Sequence, residues 1–188
     1  DNTIVVFTSD HGEMLGSHGM LHKTVLYQES VKVPLLLRVP WLTKEQRQIE
    51  GHMSQIDLVP TLLGLMGESQ PSYLEGRSLV PVLQGESSLE DNTVFIETNG
   101  PMSERLATPG HAAPWPSWQP WRTAVAGDGW KLNLSPVDQC ELYNLNADPT
   151  EESNLFDEPK QRERIHHLTS RLRRWQEETQ DDAPLPAL

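Results

Sequence analysis

Residues 3–23 read TIVVFTSDHGEMLGSHGMLHK. The run Ile4-Val5-Val6-Phe7 is apolar, mostly β-branched and bounded by polar residues, the pattern of a short strand buried on both faces. It gives way to Thr8-Ser9-Asp10-His11-Gly12. A carboxylate and an imidazole therefore fall at the strand's C-terminal end, the edge at which open α/β sheets bind ligands. A regular strand would send Asp10 and His11 to opposite faces. For both to meet one ion the chain must turn, and Gly12 permits a sharp turn. An Asp oxygen beside a His nitrogen suits a divalent cation of hard or borderline character. Lys23 adds a mobile cation able to face an anionic group of a substrate. The plainer alternative is an ordinary turn, where Asp is common.

Gly12, Gly16 and Gly19 punctuate the stretch leading to Lys23, so the segment reads as loop rather than long helix. His18 is a second candidate on the substrate-binding side, set against the plainer reading of a loop histidine that is solvated or bonded to backbone. Glu13 reads as an orienting or capping residue. Glu29 reads as an anchor pairing with a nearby cation or as a solvated side chain. Residues 24–32 form a partly helical crossover to a second buried strand at 33–39, with Pro34 tolerated near its start. Asp57 is a good N-cap for a helix in which Pro60 lies in the first turn and Gly67 stands at the C-terminal stop. Leu58, Leu62, Leu65 and Met66 make its core-facing stripe. A short helix at 78–83 closes at Gly85, and the polar stretch 86–92 is a subdomain boundary.

Beyond it the period changes. Residues 93–98, 122–126, 130–134 and 141–145 are strand-like, with Gly127-Asp128-Gly129 as a hairpin turn, so an antiparallel meander is expected. Residues 101–120 carry Trp115 and Trp118 among prolines and run into Trp121. Such a loop is either a flap on the substrate side or indoles covering the sheet. A last helix begins near Pro159 and repeats Ile165, Leu168, Leu172 and Trp175 at helical spacing. Arg171, Arg173 and Arg174 would suit the negative end of its dipole. The remaining residues, 178–188, read as a flexible tail. The domain reading is 1–90 and 91–177, followed by that tail.

Formal charge is −12, from 15 basic and 27 acidic residues in 188. That balance disfavours nucleic acid and anionic membranes as partners. It leaves room for an anionic substrate, because a metal ion and a lysine reverse the field locally. The single cysteine, Cys140, excludes an intrachain disulfide framework. No apolar run reaches transmembrane length, and nothing in the composition settles compartment or oligomeric state.

The motifs taken in order resemble those of the formylglycine-dependent sulfatases of the alkaline phosphatase superfamily. In that family a strand ends in Asp-His or Asp-Asn, a lysine comes about a dozen residues later, and a Tyr-Glu-Glu-Ser or similar run precedes a Val-Pro strand. Here these are Asp10-His11, Lys23, Tyr27-Gln28-Glu29-Ser30 and Val33-Pro34. The likeness continues through Asp57-Leu58-Val59-Pro60-Thr61-Leu62-Leu63, Gly76-Arg77-Ser78-Leu79, Trp130-Lys131-Leu132 and Glu141-Leu142-Tyr143-Asn144-Leu145. The family's nucleophile motif, Cys/Ser-x-Pro-x-Arg, and its paired N-terminal aspartates have no counterpart here.

The resemblance implies an α/β fold: the C-terminal part of an alkaline-phosphatase-like sheet, then a small antiparallel four-stranded sheet with a C-terminal helix. It implies a metal-dependent sulfuric ester hydrolase acting on a sulfated small molecule or carbohydrate, with Asp10 and His11 as metal ligands. Lys23 would contact the sulfate. Calcium is the implied metal, with manganese or zinc as alternatives because imidazole suits them. The formylglycine and the N-terminal half of the same enzyme would be supplied from outside these residues, leaving this chain alone inactive and weak in metal affinity. Other readings are a phosphonate monoester or phosphodiester hydrolase on the same scaffold, a non-catalytic glycan- or partner-binding module, and a homologue whose upstream half has lost its nucleophile.

Overall fold

The computed structural model of the chain describes residues 2–23, 25–99, 120–136 and 138–188. These form two compact units, Asp1–Val94 with Ala126–Asp128 and Phe95–Val125 with Gly129–Leu188. The expectations for Trp115 and Trp118 lie outside the described residues.

In the first unit, β1 (Val5–Thr8) pairs with β2 (Leu35–Arg38). The pairing is antiparallel, with Val5 opposite Arg38 and Phe7 opposite Leu36. This corrects two expectations. The link through the single helical turn α1 (Gln28–Val31) folds the chain back on itself and is not a crossover. Nor are the strands buried on both faces, because a two-stranded ribbon has no layer to cover it. Phe7 is 60% exposed and Leu36 65% exposed. Val5, Phe7 and Leu36 thus form an exposed apolar surface on the ribbon.

Helix α2 (Leu58–Met66) ends where Gly67, at φ 77°, turns the chain left-handed. There Glu68 N–H donates to Leu63 O at 2.9 Å. Its start differs from expectation. A 3-10 turn over Gln55–Asp57 leads straight into it, so the Asp57 side chain is not needed as a cap. The Asp57 carboxylate instead accepts Arg77 N–H at 2.9 Å. The buried side of α2 is Pro60 and Thr61 rather than the leucine stripe, and Met66 is exposed. Thr61 explains the choice: its hydroxyl donates to Asp57 O at 2.6 Å and accepts Leu79 N–H at 2.9 Å. That seats α3 (Val80–Gln84) and the small core of Leu79, Val82, Leu89 and Met53.

The second unit is the expected meander. Strands β3 (Val94–Thr98), β4 (Trp121–Val125), β5 (Trp130–Leu134) and β6 (Glu141–Asn144) lie side by side in chain order. Helix α4 (Arg162–Thr179) buries Ile165, Leu168, Thr169 and Leu172 against β4 and β5. Both faces of β5 are covered, the polar one included. Lys131 Nζ lies 2.6 Å from Glu151 Oε1, and both side chains are fully buried. Beside them, Thr123 donates to Asn133 at 2.7 Å, and Asn133 donates to Glu141 at 2.8 Å. Burial raises the Glu141 carboxyl above its ordinary value.

Helix α4 runs to Thr179, so Arg171, Arg173 and Arg174 precede its last turn, which holds no basic residue. The segment expected as a flexible tail is fastened where it begins. Arg122, almost wholly buried, donates to both oxygens of Asp181 at 2.6 and 2.5 Å. Gln176 adds bonds to Asp181 and Ala183 O, each 2.8 Å. The Arg122 guanidinium pulls the Asp181 carboxyl from 3.8 down to about 2. A carboxyl depressed in the folded state stabilises it above the unfolded value, and that contribution is lost as pH falls through the folded value. The bond is therefore complete above pH 3.8 and gone below about 2. Asp181→Asn should cost about 2–3 kcal/mol at neutral pH, since it leaves a buried guanidinium half-paired. In urea unfolding its deficit against the parent should shrink between those two pH values.

Candidate functional site

The chain bends at Asp10, as it leaves β1, and the two side chains that a straight strand would part come together. Asp10 Oδ2 lies 3.5 Å from His11 Nε2. Asp10 Oδ1 also accepts His11 N–H at 3.1 Å, and the Ser9 hydroxyl donates to His11 O at 2.7 Å. These contacts close the bend locally. From a distant part of the chain Gln55 clamps it, its amide donating to Ser9 O at 3.0 Å and to Asp10 O at 3.3 Å. The Asp10 carboxyl sits below its ordinary range, chiefly through hydrogen bonding to its own backbone N–H.

His11 Nδ1 approaches the Gly12 carbonyl at 2.6 Å. A carbonyl only accepts, so Nδ1 carries a proton; an ammonium only donates, so against Lys23 it is Nε2 that accepts through its lone pair. That lone pair faces the Lys23 ammonium, which is in hydrogen-bond contact with it. A cation bound at His11 would compete with the ammonium for the same electrons.

Gly12 has a role other than the expected one. Its φ is not positive, so the bend does not depend on glycine. What depends on it is close approach: a Cβ here would collide with the Glu29 carbonyl oxygen. The missing side chain lets Gly12 N–H reach Ser30 O and Glu13 N–H reach Glu29 O, both at 2.8 Å. This latch closes the base of the loop that carries Lys23.

Within the loop, Met14 is buried and its N–H donates to His22 O at 2.8 Å. Among the described residues no cation pairs with Glu29; the Ser17 hydroxyl donates to its Oε1 at 2.7 Å. His18 stacks on Tyr27 with ring centres 3.7 Å apart and planes at 9°. The structure thus brings Asp10, His11 and Lys23 together and places His18 on Tyr27. Sequence reasoning missed Gln55 and Ser17. Nothing local flags either one, because each acts on a partner far away in the chain.

Two donor atoms 3.5 Å apart, one of them on an imidazole whose other nitrogen is held by a carbonyl, have the spacing of adjacent positions on one divalent ion. Bonds of about 2.1–2.4 Å at right angles put two donors about 3–3.4 Å apart. Among the described residues no group of three or more His, Cys, Asp or Glu gathers around one point. Asp10 and His11 are two donors, fewer than the roughly six to eight oxygens a calcium ion takes.

The sulfatase family matches residues 1–68. An N-acetylglucosamine-6-O-sulfatase of Bacteroides thetaiotaomicron is 30% identical over 188 residues, covering 98% of this chain and 32% of the relative. The chain is a homologue of the sulfatases. It corresponds to a C-terminal portion of these larger members of the alkaline phosphatase superfamily and spans about a third of the length of that relative. A solved structure described as in complex with its substrate, D-glucosamine-2-N,6-O-disulfate, superposes on this sulfatase homologue with a TM-score of 0.80 at 28% identity. It covers 98% of this chain and 36% of that one. The meander and its C-terminal helix match the corresponding region there. The phosphonate monoester hydrolase of Agrobacterium radiobacter superposes with a TM-score of 0.75 at 26% identity, covering 94% of this chain and 35% of that one. No helix among the described residues is long and apolar enough to cross a membrane.

Proposed function

We propose that this chain is the C-terminal part of a sulfuric ester hydrolase in which Asp10 and His11 hold a divalent cation and Lys23 binds the sulfate. One observation carries the reading. An acidic and a basic side chain converge where a strand ends, with an ammonium group against them, in a chain similar to a sulfatase over 98% of its length. Calcium is the metal the family likeness implies, with manganese as the alternative; bound there, it would offset negative charge on a tetrahedral sulfate.

The chain's own residues account for the rest. Gln55 and Ser9 fix the backbone so that the Asp10 carboxylate and the His11 lone pair face one point. The Gly12 carbonyl keeps the imidazole in the ligating tautomer, as carbonyl partners of metal-bound histidines do. Lys23, a compact point charge on a long stem, would leave His11 to pair with sulfate oxygens and the departing alkoxide oxygen. The nucleophile, a formylglycine in this family, would be contributed by sequence outside these 188 residues, as would the remaining ligands. On this reading the 188-residue chain alone should show no sulfatase turnover and only weak metal binding. The similar solved substrate complex suggests a sulfated amino sugar or related carbohydrate as substrate.

Phosphonate monoester hydrolysis is the second reading, supported by the superposition on the Agrobacterium radiobacter enzyme. A polypeptide carrying the upstream sequence as well should be assayed on an aryl sulfate and on an aryl phosphonate monoester. The expected result is preference for the sulfate, with kcat reduced about 10²–10³-fold by Lys23→Ala, the usual cost of losing a donor to developing charge. Preference for the phosphonate would favour the second reading. Unchanged turnover in Lys23→Ala would sink the role given to that lysine.

A further inference from the structure

We infer that Glu29 and Tyr27 are positioning residues for Lys23, acting through Ser17 and His18; the consequence for catalysis rests on the anion-binding role proposed for that lysine. The loop that carries Lys23 has a strained backbone. Leu15, Gly16, His18, Gly19 and His22 all have positive φ, at 48°, 100°, 52°, 69° and 71°. Three of them carry side chains, which disfavour that region, and such conformations persist only where their surroundings hold them. His22 immediately precedes Lys23, so its left-handed turn sets the direction in which the lysine leaves the backbone.

Side-chain links among the described residues oppose relaxation of this loop and tie it to the short segment 27–29. Ser17 donates to Glu29 Oε1 at 2.7 Å, and His18 lies flat on Tyr27 at 3.7 Å. The latch from Gly12 and Glu13 to Ser30 and Glu29 pins the same segment to the end of β1. Segment 27–30 is thus a common anchor for the strand end bearing Asp10 and His11 and for the loop bearing Lys23. Glu29 is a costly choice for bracing alone. Its Oε2 is buried without a hydrogen-bond partner among the described residues, and an unsatisfied buried carboxylate oxygen is unfavourable. The cost is accounted for if the carboxylate holds a strained loop in register with the metal-ligand pair.

The test reads geometry directly. In the 188-residue chain with labelled lysine and histidine, a nuclear Overhauser effect between the Lys23 ε-methylene and the His11 ring is expected. It should vanish in Glu29→Ala and in Tyr27→Leu, and return in Glu29→Gln, whose amide oxygen accepts the same Ser17 hydrogen bond. Ser17→Ala, a smaller change, decides the matter if Glu29→Ala does not fold, and should weaken the effect. A cross-peak unchanged in Ser17→Ala and Tyr27→Leu, or absent from the parent chain, would overturn the inference. Failure of the catalytic reading would appear elsewhere, as unchanged ester turnover in Lys23→Ala with the cross-peak intact in the parent.

Discussion

Glu151→Ala should destabilise the chain by about 3–5 kcal/mol, the range found when one member of a buried ion pair is removed. Lys131 Nζ lies 2.6 Å from Glu151 Oε1 with neither side chain exposed to water. Truncating Glu151 removes the carboxylate held against this ammonium on the central part of β5, where Leu132 and Leu134 are buried on the opposite face. A buried ammonium whose nearest counter-charge is removed is costly. Replacing Lys131 by Met and Glu151 by Leu together should recover much of the loss, since a buried pair exchanged for apolar side chains of similar volume is often neutral. Urea unfolding of the two single variants and the double variant measures this. A single-variant loss under about 1 kcal/mol would mean the pair is reached by solvent and worth no more than a surface bridge.

The second large effect belongs to Gly12. An added Cβ overlaps the Glu29 carbonyl oxygen, a backbone atom that cannot rotate aside. Gly12→Ala must therefore open the latch, giving up the bonds to Ser30 O and Glu29 O. At about 1 kcal/mol net per hydrogen bond plus the strain of separation, the cost should be about 2–4 kcal/mol. Amide exchange locates it: the Gly12 and Glu13 amides should lose protection while the β4–β5 amides keep theirs. A variant within about 0.5 kcal/mol of the parent, with those two amides still protected, would show that the backbones need not approach so closely.

The second unit was legible because its signals are local. Alternation in 130–134, the Gly127-Asp128-Gly129 turn and the spacing of Ile165, Leu168 and Leu172 each declare an element by themselves. The Asp10–His11–Lys23 cluster was legible as a motif, and its convergence depends on a bend that strand geometry alone argues against. What stayed hidden depends on partners far apart in sequence. Glu151 gives no sign that it closes on Lys131, nor Asp181 on Arg122 or Gln55 on Ser9. The exposed β1–β2 ribbon shows the opposite failure. Composition reports that Val5, Phe7 and Leu36 suit burial but cannot say whether this chain supplies the cover.

The convergence of Asp10 and His11 on one cation can be tested without catalysis. Manganese titrated into the labelled 188-residue chain should broaden the resonances of Asp10 and the His11 ring before all others, with EDTA restoring them and His11→Ala abolishing the effect. If broadening begins instead at the acidic end of α4 around Glu177 and Asp182, or survives His11→Ala unchanged, the strand end does not hold a metal ion and the ligand roles given to Asp10 and His11 fail.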